Sequence, residues 1–129
     1  MIIDKETEMA SEQAVTASAA GSTVIDQVQP GDAIDQELYF VVLCIVAAAS
    51  AGGAATVQFA LQTATDAAFT TPVTLYESGA IAQADLVAGA KPVTVRVPRG
   101  AKRYLRAYFT VSGGPLTAGK FSALLTQNA

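Results

Sequence analysis

The chain has 129 residues, 51% of them hydrophobic, with a formal net charge of −3, one cysteine, no histidine and no tryptophan. That length holds one domain with a real core, and the apolar fraction excludes a disordered chain. Lack of histidine removes a Ser-His-Asp triad and the commonest general base and metal ligand, and the lone Cys44 excludes an internal disulfide.

Residues 1–10 are acidic and lack the basic start and apolar stretch of a secretion signal, so the expectation is a soluble protein made and used without export. They carry no strand pattern and are expected to form an extended arm, with a sandwich domain over 11–129. Residues 38–46 read Leu-Tyr-Phe-Val-Val-Leu-Cys-Ile-Val, too short for a membrane helix. Their β-branched content predicts a strand apolar on both faces, which needs cover on both. One face can be the core, with Cys44 as a small buried hydrophobe; the other needs a loop, the arm or a second subunit. The alanine-rich stretch 47–55 contains Gly52-Gly53 and is expected to be a loop.

Clear alternation follows. In residues 56–63, Val57, Phe59 and Leu61 share one side and Gln58, Ala60 and Gln62 the other, as in a strand with one buried face. Residues 66–69 predict one helical turn capped by Asp66, and Val73 and Leu75 a further short strand. In 92–98, Val93, Val95 and Val97 alternate with Thr94 and Arg96. In 103–111, Leu105, Ala107, Phe109 and Val111 alternate with Tyr104, Arg106, Tyr108 and Thr110. In 120–127, Phe121, Ala123 and Leu125 share a face. Turn signals, among them Gly31-Asp32, Gly52-Gly53, Gly113-Gly114 and Ala118-Gly119, separate these segments. About eight short strands in one domain predict an all-β, two-sheet sandwich, and strand count leaves a jelly roll and other Greek-key sandwiches open. The expected core is Phe59, Leu61, Val95, Leu105, Phe109 and Phe121.

Charge is laid out unevenly. Residues 1–37 hold eight acids and one base, residues 38–90 three acids and no base, and residues 91–129 seven bases and no acid. Either the first and last strands lie close and neutralise each other, or the two ends attract between subunits or toward an acidic partner. Arg96, Tyr104, Arg106 and Tyr108 have outward parity on two strands, with Arg99, Lys102 and Arg103 on the turn between. Arginines beside aromatics can stack bases, but the acidic chain argues against nucleic acid, and Tyr and Arg serve protein interfaces equally well. Asp32, Asp35 and Glu37 read as a solvated turn, and few acids lie at strand positions, Glu77 alone in the middle of the chain, so the paired carboxylates of a glycosidase are not expected. No metal, cofactor or phosphate-loop pattern appears, so a non-enzymatic protein is expected.

The opening Met1-Ile2-Ile3-Asp4-Lys5-Glu6, Glu12-Gln13-Ala14-Val15-Thr16 leading to Val24-Ile25-Asp26, and Leu38-Tyr39-Phe40-Val41-Val42 form one set. Thr56-Val57-Gln58-Phe59-Ala60-Leu61-Gln62-Thr63, Asp66-Ala67-Ala68-Phe69 with Pro72, Pro98-Arg99-Gly100-Ala101-Lys102-Arg103-Tyr104-Leu105-Arg106 and Ala118-Gly119-Lys120-Phe121-Ser122-Ala123 complete it. In that order the pieces resemble the capsid cement (decoration) proteins of Bordetella-type short-tailed phages. The resemblance implies a jelly roll on the outer surface of a phage head, made in the bacterial cytoplasm. It implies binding to the shell of major capsid protein in paired subunits, and brings no catalytic motif. Membrane and nucleic acid are not expected partners, and a homodimer is. A carbohydrate-binding or receptor-binding module of a phage tail is the alternative, because a sandwich serves either use. From their chemistry, the candidate inter-chain contacts are Ile2, Ile3, Asp4, Glu6, Glu8, Tyr39, Val41, Arg99, Lys102, Arg103, Tyr104, Arg106 and Tyr108.

Overall fold

The computed structural model describes residues 8–26, 39–98, 100 and 102–126. Among them run nine strands: β1 (Glu8–Ala14), β2 (Ala19–Ala20), β3 (Ile25–Asp26), β4 (Tyr39–Ser50), β5 (Thr56–Ala64), β6 (Val73–Ala82), β7 (Val93–Arg96), β8 (Tyr104–Ser112) and β9 (Leu116–Thr126), with a 310 turn at Gln83–Asp85 before β7. One sheet has the order β1-β9-β4-β7. The other has β2-β8-β5-β6, with β3 also against β8.

Unrolled, the chain is a long antiparallel hairpin: β1 pairs with β9, β2 and β3 with β8, β4 with β7, and β5 with β6. Rolling it up sets β9 against β4 and β8 against β5. With β2 and β3 counted as one interrupted strand, this is the eight-stranded connectivity of a jelly roll, which decides between the topologies that strand count left open.

The alternation drives the packing. Phe59, Phe109 and Phe121 lie fully buried between the sheets with ring centroids 5.2–6.0 Å apart, in the range where aromatic pairs add attraction beyond burial. Leu61 and Leu105 are equally buried, and Val95 is partly buried against them.

Four expectations need correction. The arm does not reach residue 10: Glu8 opens β1, and Met9 and Ala10 belong to the core. The alanines after Val46 do not begin a loop, because β4 continues to Ser50 and pairs Ala49 with Ala118 across a bulged register. The Ala118-Gly119 signal is likewise inside β9. Gly119 sits there at φ +145, a conformation that side chains rarely adopt, opposite the bulges of β4. The strand at Val73 is longer than expected and runs to Ala82. Where its register slips, the Ser78 hydroxyl accepts a hydrogen bond from the Phe59 N–H (3.0 Å) in place of a ladder carbonyl.

Strand β4 is apolar on both sides, as expected, but its second side is covered within the single chain at Val41, while Leu43 is half-buried and Ile45 exposed. Phe40, Val42 and Cys44 face the core, so Val41 points the other way, and it is 0% exposed. Its neighbour Leu124 on β9 is also 0% exposed. The exposed large apolar side chains of β4 are Ile45 and Val46, at 36% and 40%.

Candidate functional site

Because Leu105, Ala107 and Phe109 point into the core, Tyr104, Arg106 and Tyr108 project from the outer face of the second sheet. Strand β8 is central in that sheet, so the three sit mid-face, about 7 Å from one to the next. Directly opposite on β5 lie Ala64, Gln62 and Ala60. These are small or flat, and they leave the tyrosines and the arginine standing above their neighbours.

Arg106 is held from several sides. Its Nε donates to Gln62 Oε1 at 2.8 Å. Its guanidinium lies over the Phe69 ring at 4.3 Å from the centroid, with the Tyr108 ring at 5.3 Å. Both rings are within cation–π range. Phe69 reaches this position from the β5–β6 loop. Residues 66–69 close as a β-turn, with the Phe69 N–H donating to the Asp66 carbonyl at 3.1 Å, rather than as the expected helical turn. Phe69 has φ +52, a left-handed conformation that costs an ordinary side chain roughly 1–2 kcal/mol. The offset is burial, since only 5% of Phe69 stays exposed. The Asp66 carboxylate fastens the next residue: it accepts from Thr70 Oγ1 at 2.7 Å and from the Thr70 N–H. These bonds hold the Asp66 carboxyl below its usual value of 3.8.

At the edge of the same face, Arg103 pairs with Asp26 of β3 through Nε at 2.8 Å and Nη2 at 3.0 Å, and its guanidinium lies 5.1 Å from the Tyr104 ring centroid. The hydrogen bonds to Asp26 raise its already high pKa. The pair joins the acidic N-terminal third to the basic C-terminal third inside one chain. So do the pairings of β1 with β9 and of β2 and β3 with β8, as the intramolecular account of the charge layout expects.

The candidate contacts therefore divide. Arg103, Tyr104, Arg106 and Tyr108 come together, with Lys102 beside them donating its backbone N–H to Thr63 Oγ1. Tyr39 and Glu8 lie half-buried at the starts of β4 and β1 in the other sheet. Val41 cannot serve as a contact while the fold is intact, because it has no exposed surface. Ile2, Ile3, Asp4, Glu6 and Arg99 fall outside the described residues, as do Asp32, Asp35 and Glu37. Arg96 does not join Arg106: both point outward, but from opposite sheets of the sandwich. Phe69 and Gln62 complete the site and were not expected in it. Gln62 shares the outward parity of its strand, so its side was readable, but a phenylalanine gives no sign that it will adopt a left-handed backbone.

Among the described residues no helix is long and apolar enough to cross a membrane, and no three His, Cys, Asp or Glu residues gather as metal ligands do. Cys44 is buried, and burial pushes its thiol pKa up.

No curated protein matches the chain. A family model, Bbp16, matches residues 9–125, from the first core residue of β1 to the penultimate residue of β9. The match spans both sheets and every residue of the described site, so the chain belongs to the Bbp16 family, a Bordetella phage protein family.

Proposed function

We propose that the protein is a structural component of the virion that binds the outside of the assembled phage head and stabilises the shell of major capsid protein. The observation that carries this reading is membership of a phage protein family by a jelly roll whose one outer face presents Tyr104, Arg106 and Tyr108 on a rigid central strand. Tyr and Arg are the residue types that protein interfaces favour, and a flat sheet face suits a broad, repeated surface better than a small substrate. We further propose that copies act in pairs. A linked pair turns two modest contacts into tight attachment, because the second contact forms at an effective concentration of about millimolar. The role needs no catalysis and no cofactor.

The test is a pelleting assay of purified protein with mature heads lacking it. Saturable co-sedimentation is expected, and recovery of all protein in the supernatant discards the reading. The tail-module alternative draws on the same tyrosines, since sugars also stack on exposed rings. A glycan array run in parallel separates the two, because only a carbohydrate module binds glycans as free protein. Any truncation in these assays should stop at residue 7, since Met9 and Ala10 are core residues.

A further inference from the structure

Two arginines on one sheet face are fixed in different ways, and the difference is informative. Arg103 has its fork filled side-on by the Asp26 carboxylate. Arg106 has no carboxylate partner among the described residues. Its Nε is committed to the neutral amide of Gln62, one ring lies beneath it and another beside it, and neither Nη group has a hydrogen-bond partner among the described residues. Among the described residues, the acids of this face are accounted for. Asp26 is taken by Arg103, Asp66 by Thr70, and Glu77 stands on β6, about 10 Å away across β5. The side chain is half-buried, so this cation has lost part of its water without gaining a counter-ion among the described residues, while three groups keep it in one orientation.

We infer that the end-on Nη edge of Arg106 is a docking point for a carboxylate side chain on the protein that this face binds, with Tyr104 and Tyr108 flanking it. The identification of that protein as the shell rests on the function proposed above. A guanidinium matches a carboxylate in a planar, two-bond arrangement. With Nε occupied, that arrangement is available only through Nη1 and Nη2. Holding the group beforehand by Gln62 and Phe69 reduces the ordering cost of the contact. A protein carboxylate fits better than a nucleic-acid phosphate, because Asp26, Asp66 and Glu77 share the face and the whole chain is acidic.

The experiment is an NMR titration of full-length, 15N-labelled protein, following the arginine Nε–H signals. The probes are the peptide acetyl-Gly-Glu-Gly-Glu-Gly-amide, its glutamine counterpart and an eight-nucleotide single-stranded DNA. The glutamate peptide should shift the Arg106 signal saturably, with a dissociation constant on the order of tens of millimolar, as suits one charge-assisted two-bond contact at a wet surface. It should leave Arg103 within about a fifth of that shift, and the glutamine peptide should move neither. Arg106→Gln should abolish the saturable response at Tyr104 and Tyr108. Arg106→Lys, which keeps the charge without the fork, should weaken it about tenfold, and Arg103→Gln should leave it within about twofold. An unshifted Arg106 signal, an equal response to the glutamine peptide, or tighter binding of DNA overturns the inference. The pelleting assay is independent of the titration: heads that bind while Arg106 ignores glutamate remove the docking point alone, and heads that fail to bind remove the shell reading.

Discussion

The two outer faces of the sandwich are built by the same alternation of side chains and have opposite character. On the first sheet, Val41 and Leu124 lie side by side with no exposure, and Ser122 and Thr126 next to them on β9 are buried as well. On the second sheet, the corresponding outward positions of β8 carry Tyr104, Arg106 and Tyr108, all partly exposed and braced by Phe69 and Gln62. The first face contributes to stability as a core does, while the second spends part of its loop on holding a cation in place. A strand that is apolar on both sides is therefore no guide by itself to where a partner binds. Cover from within the chain satisfies it at Val41 and Leu124, and the cluster of Tyr and Arg sits on a strand that looks ordinary on its inner side.

Truncation separates the faces most strongly. Phe109→Ala, in the shared core, should cost about 3–5 kcal/mol, and Leu124→Ala about 2–5 kcal/mol although Leu124 is on an outer face. Tyr108→Ala should cost no more than about 1 kcal/mol, as a change at a partly exposed position. Urea denaturation of the three variants measures all of this. A loss below about 1 kcal/mol for Leu124→Ala would erase the distinction between the faces.

A smaller effect tests the bracing of Arg106. Phe69→Ala should cost about 3 kcal/mol, the lower end for a buried phenylalanine, through lost burial and the lost cation–π contact. Glycine gives up the same ring but accepts φ +52 without strain. Phe69→Gly should then be at least as stable as Phe69→Ala, the reverse of the order at most loop positions. A glycine variant clearly less stable than the alanine one would show that no strain is held there.

The weakest effect lies in the same loop and depends on pH. The Asp66 carboxyl is held below its usual range by Thr70, so it takes up a proton less readily in the folded chain than in the unfolded one. Its stabilising contribution is full above about pH 4 and is lost as pH falls through the depressed folded value. Thr70→Val should lower stability at neutral pH and flatten the stability profile below about pH 4. Equal profiles for the two proteins, measured by denaturation at a series of pH values, would dismiss the clamp.

Much of the fold was legible in the sequence because period-two alternation is a local signal. Residues 56–63 and 103–111 show it without interruption, and they became the two central strands of the second sheet. What escaped was set by distant partners. Alanines 47–49 carry no strand preference of their own and are extended because β9 pairs with them. Gly119 resembles a turn in isolation and is a bulge only because β4 is irregular opposite it. Within the site, the arginine and the tyrosines were readable from parity. The split of Arg96 from Arg106 was not, since parity says which side of a sheet a residue takes and nothing about which sheet. The ring beneath Arg106 depends on a backbone conformation that the identity of residue 69 argues against.

The rolled hairpin also bears on when this protein can fold during its synthesis. Strand β8 lies between β5 and β2 with β3, and β9 between β1 and β4, so the last two strands made are central in their sheets. Among the described strands, β4 can pair with β7 and β5 with β6 beforehand, but β1 pairs with β9, and β2 and β3 with β8, so these wait for the last two strands. The second sheet cannot close before Ser112 at the end of β8, nor the first before Thr126 at the end of β9, and the pairings then formed span much of the chain, which makes folding slow. Until that point β4, apolar on both sides, stands uncovered, and crowded nascent chains are exposed to mispairing through it. The yield of folded protein is therefore governed by what happens to β4 before β8 and β9 are made.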